Sequence, residues 1–506
     1  MKAKKRFLQT AGALAATTAL LFTGCAPAPP QPVDKNELLY PVTHMESGFT
    51  QEDMIYFIMT DRFYDGNADN NIGVNVNTPK GYHGGDIKGV TEKLDYIKSL
   101  GATTIWLTPI VENDFGGYHG YWARDFYKVD SHWGTMEELK ELVDEAHKRD
   151  IKIMLDYVVN HTGQNSPWVK DEEKADWFHE RVDIRDWNNQ DQVEDGWLLG
   201  LPDLNTENQE VRDYFVDNAI WWIEETGIDG MRLDTVKHVP KSYWNEFSTK
   251  IREKYPNFFL LGEVWHNDPN YLNSYYDIGF DSLTNYALFD GVRQTFKRHG
   301  TTAPLLNAIA AQEGFTRPDL MATFIDNHDN SRFMNNAQDN KEAYLNQGLT
   351  YLLTTPGIPV IYYGTEIAMR GGGDPYNRKL MEWDRVEGDP TLAFYQNLIA
   401  LRQGEEAIKT GDMNVLASTK HVIAYERTTG DDQIIVIMNV LPAEAEIDLT
   451  LPAGTYDVLL AANLDQGAID PDQNDLGLTS TLTFNGESTP FTMDALGIRV
   501  LKRNAE

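Results

Sequence analysis

Short apolar, strand-like runs recur along this chain with amphipathic helical stretches between them, a rhythm that few architectures accept. Seven fall at 54–59, 103–107, 151–159, 230–233, 258–261, 321–325 and 358–363, and an eighth is placed at 278–280. After Gly134, Thr135 and Glu138 have capping-box spacing, and Leu139, Leu142, Val143 and Ala146 share one helix face. Parallel strands need helical crossovers, and eight strand-helix units in sequence close into an α/β fold, the (β/α)8 TIM barrel.

The rhythm breaks twice. Residues 161–206 are rich in Trp, Asp and Asn without a long periodic run, which predicts an irregular subdomain inserted after the third strand. Beyond 410 the helical patterns stop and alternating runs at 421–426, 433–438, 445–451 and 455–460 predict a C-terminal antiparallel β-sandwich over 411–506. The barrel then takes 48–160 and 207–410.

The amino terminus has its own logic. Lys2, Lys4, Lys5 and Arg6 precede an apolar stretch, 11–22, too short to span a membrane, so 1–24 is expected to be an export signal. It ends in Leu21-Phe22-Thr23-Gly24-Cys25, similar to a bacterial lipoprotein cleavage box except for Phe22 in place of Leu. Cys25 is the sole cysteine, which excludes an intrachain disulfide and makes lipidation of Cys25 the expected use of its thiol. The proline-rich stretch 25–47 reads as a tether. The protein is thus expected to be exported, either anchored at the cell surface or secreted.

Charge narrows the partners. Asp and Glu number 77 against 44 Lys and Arg, a formal charge of −33. Nucleic acid and anionic membrane surfaces would be repelled, whereas a neutral polymer or a cation would not. Membrane contact is expected only through the lipid anchor, and the chain is expected to be a monomer.

Polar residues end four of the strand runs: Asp156 and His161 the third, Arg232 and Asp234 the fourth, Glu263 the fifth, His328 and Asp329 the seventh. A parallel barrel gathers such groups on one face. Charged and polar groups ending four strands on that face make it the expected catalytic site.

The motifs carry a family resemblance. Asp-Tyr-Val-Val-Asn-His (156–161), Gly-Met-Arg-Leu-Asp-Thr-Val-Lys-His (230–238), Gly-Glu-Val-Trp (262–265) and Phe-Ile-Asp-Asn-His-Asp (324–329) resemble, in order, the four characteristic regions of the α-amylase family of glycoside hydrolases, family 13. Leu201-Pro202-Asp203-Leu204-Asn205 is similar to its fifth region, and 81–86 and 120–122 match flanking signatures. An adjacent pair, Trp221 and Trp222, together with that fifth region resembles a bacterial lipoprotein-type subgroup; core packing is the expected role of the pair.

The resemblance implies Asp234 as nucleophile, Glu263 as general acid/base and Asp329 as third carboxylate of a retaining α-1,4-glucan hydrolase acting on starch, maltodextrins and related α-glucans. It implies sugar contacts from His119, Tyr121, Trp122, His161, Arg232, Lys237, His238, His328, Asp374 and Arg378. The mechanism needs Glu263 protonated and Asp234 ionised, the latter through pairing with Arg232. The resemblance also implies calcium held by Asn160, Glu194, Asp203 and the His238 carbonyl, with a second site at Asp65, Asn67, Asn70, Asn71, the Gly84 carbonyl and Asp86. A cyclomaltodextrinase or neopullulanase-like hydrolase, a glucanotransferase, and a catalytically silent surface starch-binding protein are the alternatives.

Overall fold

The computed structural model describes residues 33–42, 47–335, 341–462 and 481–504. The export signal, Cys25 and the first part of the tether lie outside these residues.

Eight parallel strands form the central sheet: β1 (Ile55–Ile58), β2 (Thr104–Leu107), β3 (Lys152–Tyr157), β4 (Gly230–Leu233), β5 (Phe259–Gly262), β6 (Ser282–Leu283), β7 (Ala322–Thr323) and β8 (Ile358–Tyr362). They pair in the order β6-β5-β4-β3-β2-β1-β8-β7. A parallel bridge from Thr284 to Ala322 closes the ring, with Asn285 N donating to Ala322 O at 2.9 Å. The expected barrel is therefore present. Every residue of β1, β2, β4, β5 and β8 is buried, as helix-covered parallel strands require, and these strands read as apolar runs rather than as alternations.

The sixth strand needs correction. Residues 278–280 form the turn before it, and pairing begins at Ser282. Gly279 has φ +106°, and a Cβ there would run into Ser248 Oγ, so the chain cannot stay extended through the apolar run. Ile278 and Phe280 are buried all the same, which is why they resemble a strand.

Helix α1 (Met136–His147) carries the full capping box: Glu138 N donates to Thr135 Oγ1 at 3.1 Å and Thr135 N to Glu138 Oε2 at 2.9 Å. Two excursions at the carboxyl ends of strands build the site. A hairpin, Val111–Asn113 with Ala123–Val129, follows β2. The irregular segment after β3 is tied down by antiparallel bridges His161–Asp203 and Phe178–Leu204 and contains helix α2 (Gln190–Asp195). Helices α3 (Gln209–Thr226) and α4 (Lys241–Lys254) follow on the barrel's outside. On α3, Trp222 is buried and donates Nε1 to Phe126 O at 2.9 Å, while Trp221 is half-buried edge-on to Tyr127.

The C-terminal unit is a six-stranded antiparallel sheet faced by a two-stranded ribbon, Ala445–Thr450 with Ser488–Met493. Strand alternation splits its residues between two cores. Val422, Ala424, Ile435 and Ile437 meet Ile447 and Leu449 of the ribbon, whereas Ile423, Tyr425, Ile434 and Val436 join the barrel's core. Arg427 Nη1 donates to Thr354 O at 2.6 Å and Gln347 Nε2 to Asn439 O at 2.7 Å, fastening the sheet to helix α5 (Lys341–Thr354).

Candidate active site

The strand ends and their loops enclose one cavity of about 510 Å³. Asp234 follows β4 and Glu263 follows β5, their backbone amides still bonded to Tyr157 O and Leu233 O at 3.0 and 2.9 Å, so the sheet fixes where both side chains start. Arg232 lies beneath the cavity floor, buried. Its Nη1 is 2.7 Å from Asp234 Oδ1 and 2.9 Å from Asp156 Oδ1, and its Nη2 is 2.8 Å from Glu263 Oε2. One guanidinium thus holds three carboxylates from three adjacent strands.

The remaining acceptors are largely matched. Asp156 Oδ2 takes Trp106 Nε1 at 3.1 Å and Tyr121 OH at 2.8 Å. Thr235 gives its hydroxyl to Asp234 Oδ2 and its amide to Glu263 Oε2, both at 3.1 Å, and Tyr286 OH reaches Glu263 Oε1 at 3.3 Å. Thr235 has φ +46°, an unfavourable conformation for a β-branched residue, and in it the amide meets Glu263.

Pairing with Arg232 does not by itself keep Asp234 low. Burial, then the charges of Glu263, Asp156 and Asp329, push its pKa well above the usual carboxylate value while Arg232 pulls it down. Asp156 is likewise raised, to about 6, by burial against Arg232's pull. The cation is shared three ways, so it cannot offset the desolvation of every carboxylate around it.

On the facing side Asp329, a third exposed, is held by Arg378, whose Nη2 is 3.2 Å from Asp329 Oδ1 and whose Nη1 is 3.3 Å from Asp374 Oδ1 at the rim. Tyr121 stacks on His328 at 5.3 Å and, its own proton given to Asp156, accepts a 2.8 Å hydrogen bond from His328 Nε2. His161 Nε2 lies 3.1 Å from Tyr121 O. Burial pushes His119 and His328 below the usual histidine value and His161 down to about 4, so all three stand neutral around the cavity. His119, Tyr121, Trp122, His161, Lys237, His238, His328, Asp374 and Arg378 all line the cavity with the three carboxylates; Arg232 alone of the expected residues sits under it.

Several lining residues escaped the sequence reading. Trp187, half exposed, comes from the inserted segment; Trp265, also about half exposed, stacks on Tyr286 at 4.6 Å; Leu199, 88% exposed with φ +53°, projects from the turn 197–201; and Tyr118 stands beside Arg378. Trp265 was within reach of a sequence argument, being two residues past Glu263. Leu199 carries no sequence signal, because only its backbone conformation exposes it.

The expected cation ligands are brought together in two groups. In the first, Asp203 pairs with His161 across a β-bridge while Leu204 N bonds Asn160 O at 2.9 Å, and Gln190 Nε2 joins Glu194 Oε1 to Lys237 O at 2.8 and 2.9 Å. Asp203 Oδ1 is buried without a partner among the described residues, an oxygen that suits a hard cation. His179, Asp195 and Glu207 beside it form an acidic group with ligand atoms within 4.8 Å of one another. In the second, Asp86 accepts from Gly66 N, Asn67 N and Gly89 N, and Asn70 Oδ1 and Asn71 Oδ1 are buried without partners among the described residues, the latter near Gly84. The unpartnered oxygens in both groups suit a hard cation such as calcium.

Comparison with known proteins gives the same picture. Residues 57–390 match the α-amylase catalytic domain and 414–504 the α-amylase C-terminal all-β domain. The structure resembles that of the α-amylase from Geobacillus thermoleovorans solved with acarbose, with 42% identity, a TM-score of 0.81 and coverage of 90% of this chain and 99% of that one. It is 33% identical to a cyclomaltodextrinase from a Bacillus species over 77% of this chain and 73% of that protein. It is 37% identical to a β/α-amylase of Paenibacillus polymyxa over 76% of this chain, but spans only 33% of that larger protein. With four strand-end motifs around one cavity and both domains matched, the chain belongs to the α-amylase family and is a glycoside hydrolase.

Proposed function

We propose that the enzyme is an α-amylase, cleaving internal α-1,4-glucosidic bonds of starch and related α-glucans with retention of configuration. The observation that carries this reading is the single guanidinium of Arg232 shared by Asp234 and Glu263. Sharing it keeps the two carboxyls close, in keeping with the spacing of roughly 5 to 5.5 Å that retaining cleavage needs. The 42% identity to nearly the whole of the Geobacillus α-amylase supports the amylase reading.

In this reading a glucosyl unit lies on Tyr121, between His161 and His328, with its hydroxyls on Asp329 and Arg378. Asp234 attacks the anomeric carbon as Glu263 transfers its proton to the glycosidic oxygen, releasing the leaving glucan and a glycosyl ester on Asp234. Glu263 then takes a proton from water, which opens the ester and frees Asp234. Thr235 and Tyr286 orient Glu263 throughout.

Calcium would be held by Asn160, Glu194, Asp203 and the His238 carbonyl, and by the loop from Asp65 to Asp86, where it would fix the loops bordering the cavity. Chelation is expected to lower the melting temperature and added calcium to restore it.

Reducing-sugar release from soluble starch is the direct test. Glu263→Gln is expected to lose at least about a thousandfold in kcat; retention of wild-type activity would overturn the assignment. A product profile on starch, pullulan and cyclodextrin separates amylase from cyclodextrin-opening or cyclodextrin-forming activity.

A further inference from the structure

The segment 33–40 runs over the outside of the molecule and is pinned on both sides of one lysine. Val33 N donates to Glu207 O at 3.0 Å at the start of α3. Tyr40 is clamped by Asn245 of α4, which accepts from Tyr40 N at 2.9 Å and donates to Tyr40 O at 3.1 Å. Between these anchors Lys35 turns inward, its side chain 18% exposed, and places Nζ 2.9 Å from Asp191 Oδ1, 3.1 Å from Asp195 Oδ1 and 3.7 Å from Glu194 Oε2. All three carboxylates belong to α2 of the inserted subdomain. Across the same cluster His179 bridges Asp203 Oδ2 and Glu207 Oε2 at 2.7 and 3.0 Å.

An exposed lysine–carboxylate pair contributes little, because ordering two long side chains offsets a screened attraction. Lys35 differs on both counts. The backbone anchors already fix the arm, and although Asp191 and Asp195 are 77% and 44% exposed, the lysine side chain is 18% exposed and Glu194 only 9%, so part of the attraction is shielded from solvent. Without a cation those carboxylates would repel one another on a helix of six residues, which has little stability of its own. Glu194 is the point of overlap, since it also belongs to the donor set expected to hold calcium. An ammonium at 3.7 Å and a divalent ion bound to the same carboxylate would repel each other.

We propose that Lys35 is a built-in cation of the inserted subdomain: its ammonium holds α2 in place, and the N-terminal arm and a calcium ion compete for Glu194. The competition rests on the calcium reading above; the holding of α2 does not. Lys35 is a positioning residue, remote from the reacting atoms, acting through the subdomain that supplies Trp187 and Leu199 to the cavity.

The test uses the full chain, with melting followed in EDTA and calcium affinity measured by titration calorimetry. Lys35→Met is expected to melt at least about 2 °C below wild type in EDTA and to bind calcium at least about tenfold more tightly, the scale of removing a nearby like charge. Saturating calcium should narrow the melting difference. Asn245→Ala, which frees the arm without touching the carboxylates, should also tighten calcium binding. Equal melting in EDTA and equal affinity overturn the proposal, and a lower melting temperature with unchanged affinity overturns the competition. If no variant binds calcium, the calcium reading and the competition fall together, and melting in EDTA alone decides whether the ammonium holds α2.

Discussion

Arg232 sets the electrostatics of the site, because Asp156, Asp234 and Glu263 are all held through its two terminal nitrogens. Removing it would strand buried carboxylates, and breaking such a group typically costs about 3–5 kcal/mol. Arg232→Met is therefore expected to lower the melting temperature as well as abolish starch hydrolysis, whereas Asp374→Asn, at the exposed rim of the cavity, should alter hydrolysis with the melting temperature nearly unchanged if Asp374 serves as the proposed substrate contact. Equal melting of Arg232→Met and wild type would count against the three-way sharing. The neutral histidines give a pH signature. His161 is held neutral in the folded protein down to about 4, whereas the unfolded chain takes up its proton near 6.5. The unfolded state thus binds more protons between those values, and this residue's share of stability declines as pH falls from 6.5 to about 4. His161→Asn should lose less stability than wild type over that interval in melting curves; parallel losses would contradict the burial argument.

At the scale of elements, local chemistry decided what could be read. The Thr135–Glu138 capping box was legible because both reciprocal bonds lie within four residues. Thr135→Ala removes one of them, and is expected to cost about 1 kcal/mol with activity retained, measured by denaturant unfolding. The barrel was legible for a similar reason, since buried parallel strands write themselves as apolar runs. The strand at Ser282 was displaced in the sequence reading because burial of Ile278 and Phe280 mimics pairing, and nothing local says that Gly279 must turn past Ser248. Asp234, Glu263 and Asp329 could be found from motifs at strand ends. Leu199, Trp187 and Lys35 could not: Lys35 meets Asp195 160 residues further on, Trp187 reaches the cavity from an irregular polar segment, and only its backbone conformation exposes Leu199.

For the whole molecule the same distinction between local and distant contacts governs cooperativity. The C-terminal sheet is buried on both faces, one against its own ribbon and the other against the barrel, so neither unit can unfold without exposing the other's apolar surface. Arg427 reinforces that junction. Buried and, among the described residues, without a carboxylate in hydrogen-bond contact, it donates to Thr354 O at 2.6 Å, ending helix α5, and through Nε and Nη2 to Gly411 O, where the sheet begins. Arg427→Met keeps much of the apolar stem but leaves two buried carbonyls without this donor, at about 1–3 kcal/mol each when no substitute is found. Calorimetry should show the variant melting earlier and still in one transition, because the shared core rather than the arginine couples the units. Two resolved transitions in the variant would instead assign the coupling to Arg427 itself, and two in the wild type would mean that the sheet and barrel, although packed together, fold as independent bodies.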